Sequence, residues 1–542
     1  MNTLFQVVIV VGTILCFGVQ NTTAQIRVRN IYLEKKDVFD SSKDSLGFIK
    51  KFANNLHTTT KDYVIEDELL FYQGEELFDD DVEETARNLR SIGIFSSVNI
   101  TVDTLTPTEV DITVTTQDQW TTLPAVIFST GGGIQDYGAQ FKESNVVGMG
   151  SNFYLQGLYR TENSIGWQGW GEYSHRKFLR SPLKLDVSIF AHQFKTEQYI
   201  RVAKPFLTLS TPNAYGIAYY NSFGRDFVYS GTTFQQPEFH VRSLEGWYSL
   251  GLKNKDRLFT SLYVSVEDVK RASENFRQAF DNSGKILIGF SSLQQKFYTV
   301  SKLNAYFTED LPIGAYGGVV LGKTFSMKSS NIDAVVDDGL FYAGGQIEQS
   351  AKLGSLYLFG QLSGGSGFAS SSAKYTYQEF YGVGYYQLGE NTVITAQFRQ
   401  QTTWNWNGYR QLILDTDAGL RGYAANQLTG ANRILGNVEA RFFSDWELLT
   451  FKFSGVVFYD MGTVWKAGQQ ISSIQFHHAM GLGIRLHNTN VAGQEGTLRF
   501  DFAYNVDTKS VGFIFNVSQL FSAFGKHGFK LPKIFGLGID TE

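Results

Sequence analysis

Arg421 stands inside DAGLRGYAANQ, residues 417–427, with Gly419 and Gly422 on either side. Glycines let a backbone turn tightly against a neighbouring surface. A guanidinium carried into such a place loses water, and a partly desolvated arginine is best satisfied by a carboxylate through two parallel hydrogen bonds. Strands downstream carry acids on a polar face. In GNVEARFF, residues 436–443, Asn437, Glu439 and Arg441 share one strand face, and Val438, Ala440 and Phe442 share the other. In VVFYDMGTVW, residues 456–465, Asp460 follows Tyr459 and so takes the polar side. A solvated arginine in a surface loop is the alternative reading of Arg421 alone, since exposed ion pairs are weak.

Other chemistry is sparse. Asp79, Asp80 and Asp81 are consecutive, so their carboxylates diverge around a helix start and favour its positive end instead of converging on a metal. The eight histidines form no G-x-S-x-G context and no metal-spaced cluster, and the adjacent His477 and His478 point to opposite faces of a strand. The expectation is a non-enzymatic protein without metal or cofactor.

The elements that position these residues follow from composition. The chain has 542 residues, 54 of them Gly and only 8 Pro, is 15% aromatic and carries a net charge of -5. No apolar run of about 18 residues occurs after the first twenty positions, which argues against helical membrane spans and for β structure. The weakly acidic balance lacks the clustered basic face of a nucleic-acid binder. LFQVVIVVGTILCFGV and the small residues after it read as a signal peptide over residues 1–24. The only cysteine, Cys16, lies in that run, so the mature chain is expected to hold no disulfide.

Residues 25–118 read as a small α+β domain of order β-α-α-β-β. Ile65, Leu69 and Tyr72 are at helical spacing ahead of Gly74; Val82, Ala86 and Leu89 mark a second helix stopped at Gly93. SSVNITVDTL and TEVDITVTTQD alternate with period two across a Thr-Pro turn and form a hairpin. Val110, Ile112 and Val114 in its second arm are expected to offer an edge to extended chains. From residue 119 to 521 clean alternation takes over. Leu498, Phe500, Phe502 and Tyr504 oppose Arg499, Asp501, Ala503 and Asn505. An oily face and a polar face fit a transmembrane barrel better than a soluble sandwich of such length.

At this point the sequence resembles the BamA/TamA outer-membrane assembly-factor family. TTKDYVIEDELLFYQGEELF and LRSIGIFSSVNI resemble the polypeptide-transport-associated (POTRA) domain; ESNVVGMGSNF, LRGY, GNVEARFF and VVFYDMGTVW follow in the family's order along nearly the whole mature chain. The resemblance implies a mainly β fold: a POTRA-like periplasmic domain before a 16-stranded antiparallel barrel in the outer membrane of a Gram-negative bacterium. It implies that Arg421, with Gly422 and Tyr423, locks an inward loop onto Glu439 and Asp460 near Gly462; whether one arginine reaches both acids stays open. It implies a seam between residues 125–133 and 511–521, with Ile127, Phe128, Gly131, Gly132 and Gly133 on one side and Phe513, Phe515 and Phe521 on the other. The implied function is assembly or translocation of unfolded client proteins, with membrane lipid and accessory periplasmic or lipoprotein subunits as further partners. A pore or transporter with a loop folded into its lumen is the alternative. Residues 522–542 read as a C-terminal periplasmic extension.

Overall fold

The computed structural model describes residues 26–540 apart from 38–57, 207–210, 232, 253–256, 305, 307, 328–338, 370–371, 407, 449–450, 489–496, 518–519 and 521–527. The signal-peptide reading, Cys16 and Phe521 fall outside the described residues. The chain divides into two compact units, Met1–Thr121 with Ser144–Gly150, and Thr122–Glu143 with Ser151–Glu542.

The first unit contains β1 (Arg27–Lys36), α1 (Asp62–Glu66), α2 (Asp79–Ser91), β2 (Phe95–Thr106) and β3 (Glu109–Asp118). Its sheet has the order β1-β3-β2, with β1 parallel and β2 antiparallel to β3. Ile65, Leu69, Phe71 and Leu89 pack on Ile112 and Val114 to form its core. The first helix is a little over one turn and does not run on to Gly74. The Leu70 N–H donates sideways to Thr85 Oγ1 of α2 at 3.1 Å, so this backbone donor is taken by the neighbouring helix. Residues 144–150 belong to the same unit because buried Asn145 donates to Thr60 Oγ1 at 2.9 Å and accepts from the Gly150 N–H at 2.8 Å. What is established here is a three-stranded mixed sheet with two helices; a POTRA domain does not follow from that order alone.

The expected client-binding edge is corrected outright. β3 is the central strand, paired on both sides, and Val110, Ile112 and Val114 are core residues. An alternating strand of β-branched residues suits a sheet centre as well as an edge, and only pairing decides which it becomes. Val114→Pro is therefore expected to unfold this unit rather than to block a partner, at a cost of about 2 kcal/mol or more from a lost ladder bond and an unpaired buried group. Limited proteolysis should then cut within residues 58–118; full protection would contradict the central placement.

Among the described residues the second unit closes a barrel of twenty antiparallel strands, from Thr122–Gly131 to Ser510–Val517. This overturns the expected sixteen. That number came with the resemblance, whereas the hairpins here are tight: only Gly132 and Gly133 separate Thr122–Gly131 from Ile134–Glu143, and two residues separate Phe341–Leu353 from Leu356–Ala369. An even count lets first and last strands meet antiparallel.

Alternation sets the two faces of the wall. In Ser283–Ser301, Ile286, Ile288 and Phe290 are exposed, while Leu287 between them is fully buried. The same parity places Val438 and Phe442 outside and Asn437, Glu439 and Arg441 inside. An exterior this rich in exposed Ile, Leu, Val and Phe is unfavourable in water and suited to lipid. Phe442, Trp446 and Tyr459 belong to that exterior, whereas Phe443 is buried on the inner parity and Trp465, on the parity of Tyr459, is also buried. Strand alternation puts residues 405–431 on the same rim as the Gly132–Gly133 turn, hereafter the loop rim.

Candidate functional site

Residues 408–431 fold back into the lumen. Leu412–Leu414 and Leu428–Gly430 pair as a short hairpin, and Leu414, Leu420 and Tyr423 pack on Leu435 and Ala479 of the wall. Asp415 holds the turn between them, its Oδ1 accepting from the backbone N–H groups of Asp417 and Ala418 at 3.0 and 2.9 Å and its Oδ2 from that of Asn426 at 2.7 Å. Gly462 leaves space for the loop, since a Cβ there would lie 2.8 Å from Leu414 Cδ2. Gly422 has φ 82° and a Cβ would press on Ala503 at 3.2 Å, so both its conformation and its clearance demand glycine.

This fold buries Arg421 completely. Its Nε and Nη2 donate to Asp460 Oδ2 and Oδ1, both at 2.7 Å, and its Nη1 donates to Glu439 Oε1 at 2.7 Å. One arginine thus reaches both acids, clamping Asp460 with two bonds and Glu439 with one. The guanidinium carbon lies 3.4 Å from the centroid of the Phe458 ring, a cation–π contact that also walls off water.

Several neighbours complete the cluster. Arg441 Nε donates to Glu439 Oε2 at 2.9 Å, Arg485 Nη1 to Asp501 Oδ1 at 2.5 Å, and Asn437 Nδ2 to Asp460 Oδ1 at 2.7 Å. Arg421, Arg441, Arg485 and Arg499 thereby face Glu439, Asp460 and Asp501, all buried. Arg485, Asp501 and Phe458 were not singled out by sequence. For Arg485 and Asp501 the signal was present as inward-parity charges on the strands after the loop, and for Phe458 only as inward parity, but nothing local says that those strands surround one arginine. At the rim Tyr423 donates to Asp507 Oδ2 at 3.0 Å, and burial together with that carboxylate raises its phenol pKa, keeping it a donor. Burial opposes ionisation of Asp507, yet hydrogen bonds from His477 and Tyr423 lower its pKa overall.

The seam lies beside this loop. Among the described residues, Ser510–Val517 meets Thr122–Gly131 at one register pair, Phe515↔Thr130, whereas Thr122–Gly131 stays in register with its other neighbour from Thr122↔Glu143 to Gly131↔Ile134. Aromatic rings bridge the join: Phe515 is 5.4 Å from Phe128 and 4.8 Å from Phe500. Within the expected seam the register falls on Thr130, which faces Phe515, while Phe513 packs at a tilt on Phe502 of its own hairpin at 5.3 Å. Gly131 packs against Ile514, Gly132 accepts from the loop, and Gly133 completes the turn.

The loop touches both sides of that seam. Toward the first strands, the Ala425 N–H donates to the Gly132 carbonyl at 2.8 Å and Asn426 Nδ2 to Glu162 Oε1 at 2.6 Å. Toward the last strands, Asn505 Nδ2 donates to the Gly422 carbonyl at 3.1 Å. It is a strap across a junction that is weakly paired among the described residues.

The chain aligns with several solved structures. BamA of Haemophilus ducreyi lacking POTRA domains 1–3 aligns over 91% of this chain and 84% of its own at 14% identity, with a TM-score of 0.45. CdiB from Acinetobacter baumannii aligns over 92% and 74% at 11% identity and 0.42, and the alcaligin outer-membrane receptor FauA from Bordetella pertussis over 79% and 82% at 11% identity and 0.36. No family model and no curated protein sequence matches the chain. At these identities and scores the likenesses assign neither family nor activity.

Proposed function

We infer that the chain is a non-enzymatic barrel of a bacterial outer membrane that handles other polypeptides, receiving unfolded clients and passing them into or across the membrane at its seam. The observation that carries this reading is that, among the described residues, the seam has a single register pair, Phe515↔Thr130. An unpaired strand edge offers main-chain hydrogen bonds to any extended chain regardless of its side chains, so a junction with few bonds can exchange its own partner for a client. The Arg421 loop supports the same reading, because it bonds to both sides of the seam, through Gly132 and through Gly422 to Asn505, and can tether them while their strand pairing exchanges. The apolar exterior supports the membrane location. Depletion followed by quantitative proteomics of the outer membrane and cell surface tests it: several other outer-membrane or surface proteins should fall several-fold. Unchanged levels of all of them, with altered small-solute uptake, would overturn it in favour of a pore.

A further inference from the structure

Residues 528–540 run lengthwise inside the barrel, which corrects their expected place as a periplasmic extension. Away from the loop rim, Phe529 packs on Phe206 and Phe259 with ring centroids 4.9 and 5.0 Å apart, and Lys530 pairs with Glu348. Midway, Pro532 lies over Gly289, whose neighbours Ile288 and Phe290 face outward, so this contact is with the inner face. At the loop rim the Phe535 N–H donates to Tyr342 Oη at 3.1 Å, and Asp540 Oδ2 accepts from Arg433 Nη1 at 3.1 Å and from the Ile413 N–H at 3.0 Å. The run turns once, at Phe535 and Gly536; at about 3.3 Å per residue a fully extended Phe529 to Asp540 would reach at most about 36 Å, against a membrane core of about 30 Å.

The fit is specific at one end and loose at the other. Gly536 has φ 81° and a Cβ on it would fall 2.4 Å from the Tyr377 ring, so only glycine passes there. Arg410 donates to the Gly536 carbonyl, and the Asp540 N–H donates to the Gln411 carbonyl at 2.9 Å. Between Phe529 and Phe535, by contrast, a cavity of about 620 Å³ remains against the wall. The wall thus reads a peptide by apolar side chains, a glycine and a carboxylate, without filling the space around it.

We propose that the inner wall carries a binding track for one peptide segment, and that residues 528–540 occupy it in cis as a displaceable plug coupled to the Arg421 loop through Gln411 and Ile413. The ligand class is a segment with extended apolar residues, a turn that places a glycine at Tyr377, and a carboxylate at Arg433. This does not rest on the seam: the track can be real whether or not the junction opens.

Conductance in planar bilayers tests it. A chain ending after residue 527 should conduct several-fold more than the full chain, and the synthetic peptide of residues 528–540 should bring it back while a scrambled peptide does not. Full-length Gly536→Val should show the same rise. In a Cys16→Ser background, Gly289→Cys with Pro532→Cys provides the opposite control. A Cβ on Gly289 lies 3.3 Å from Pro532 Cβ, near the separation a disulfide needs, so oxidation should hold the barrel closed until reduction. Unchanged conductance in a folded truncation or in Gly536→Val, equal effects of the two peptides, or openings that persist under full oxidation would each overturn the proposal.

Discussion

Arg421→Ala is expected to destabilise the barrel by about 3–5 kcal/mol, the usual cost of leaving a buried charge without its partner. Asp460 would suffer most. It holds the Arg421 guanidinium through two bonds and without it keeps Asn437 and the backbone N–H of residue 421 at 3.3 Å, whereas Glu439 keeps Arg441. Asp460→Ala should therefore produce a similar loss, and the double variant should add little to either. The coupling between Arg421 and Asp460 should exceed that between Arg421 and Glu439. Denaturant unfolding followed by tryptophan fluorescence, arranged as two double-mutant cycles, measures both. Because the cluster is buried, added salt should change these values little. Additive losses for Arg421 and Asp460 would show that the contact contributes no coupling and that the loop is held by its apolar side chains.

A disulfide across the seam should abolish client handling while leaving the barrel folded. Thr130 and Phe515 are directly opposed, and opposed residues of an antiparallel pair have Cα atoms about 4.5–5.5 Å apart, within the range a disulfide tolerates. Thr130→Cys with Phe515→Cys, in a Cys16→Ser background, is expected to oxidise, to stop insertion or export of clients, and to recover on reduction. Thr130 and Phe128 share a strand face, so the new bond replaces part of the ring contact on the outer side. Solute passage through the lumen would be unaffected, which separates a moving seam from a plain pore. Client handling that persists with the seam fully crosslinked would sink the proposed opening.

The residues involved show where sequence stopped. Period-two alternation was enough to place Glu439, Arg441 and Asp460 on one wall and Val438 and Phe442 on the other, because a strand reverses its side chain at every residue whatever lies across from it. The glycines around Arg421 were equally legible, since they mark a backbone that must turn or approach closely. Strand number was not legible: it depends on which tight turns close, and a count borrowed from a resemblance failed at twenty strands. Nor was the role of Val110, Ile112 and Val114, because a β-branched run looks the same at a sheet edge and at its centre until β1 pairs beside it. The joining of Asp501 and Arg485 to the Arg421 cluster required barrel closure to bring distant strands around one loop. The course of residues 528–540 was hidden for the same reason. Their apolar, glycine and acidic positions acquire partners only on an inner wall assembled from strands hundreds of residues earlier, so pattern fixed the faces and closure decided what those faces meet.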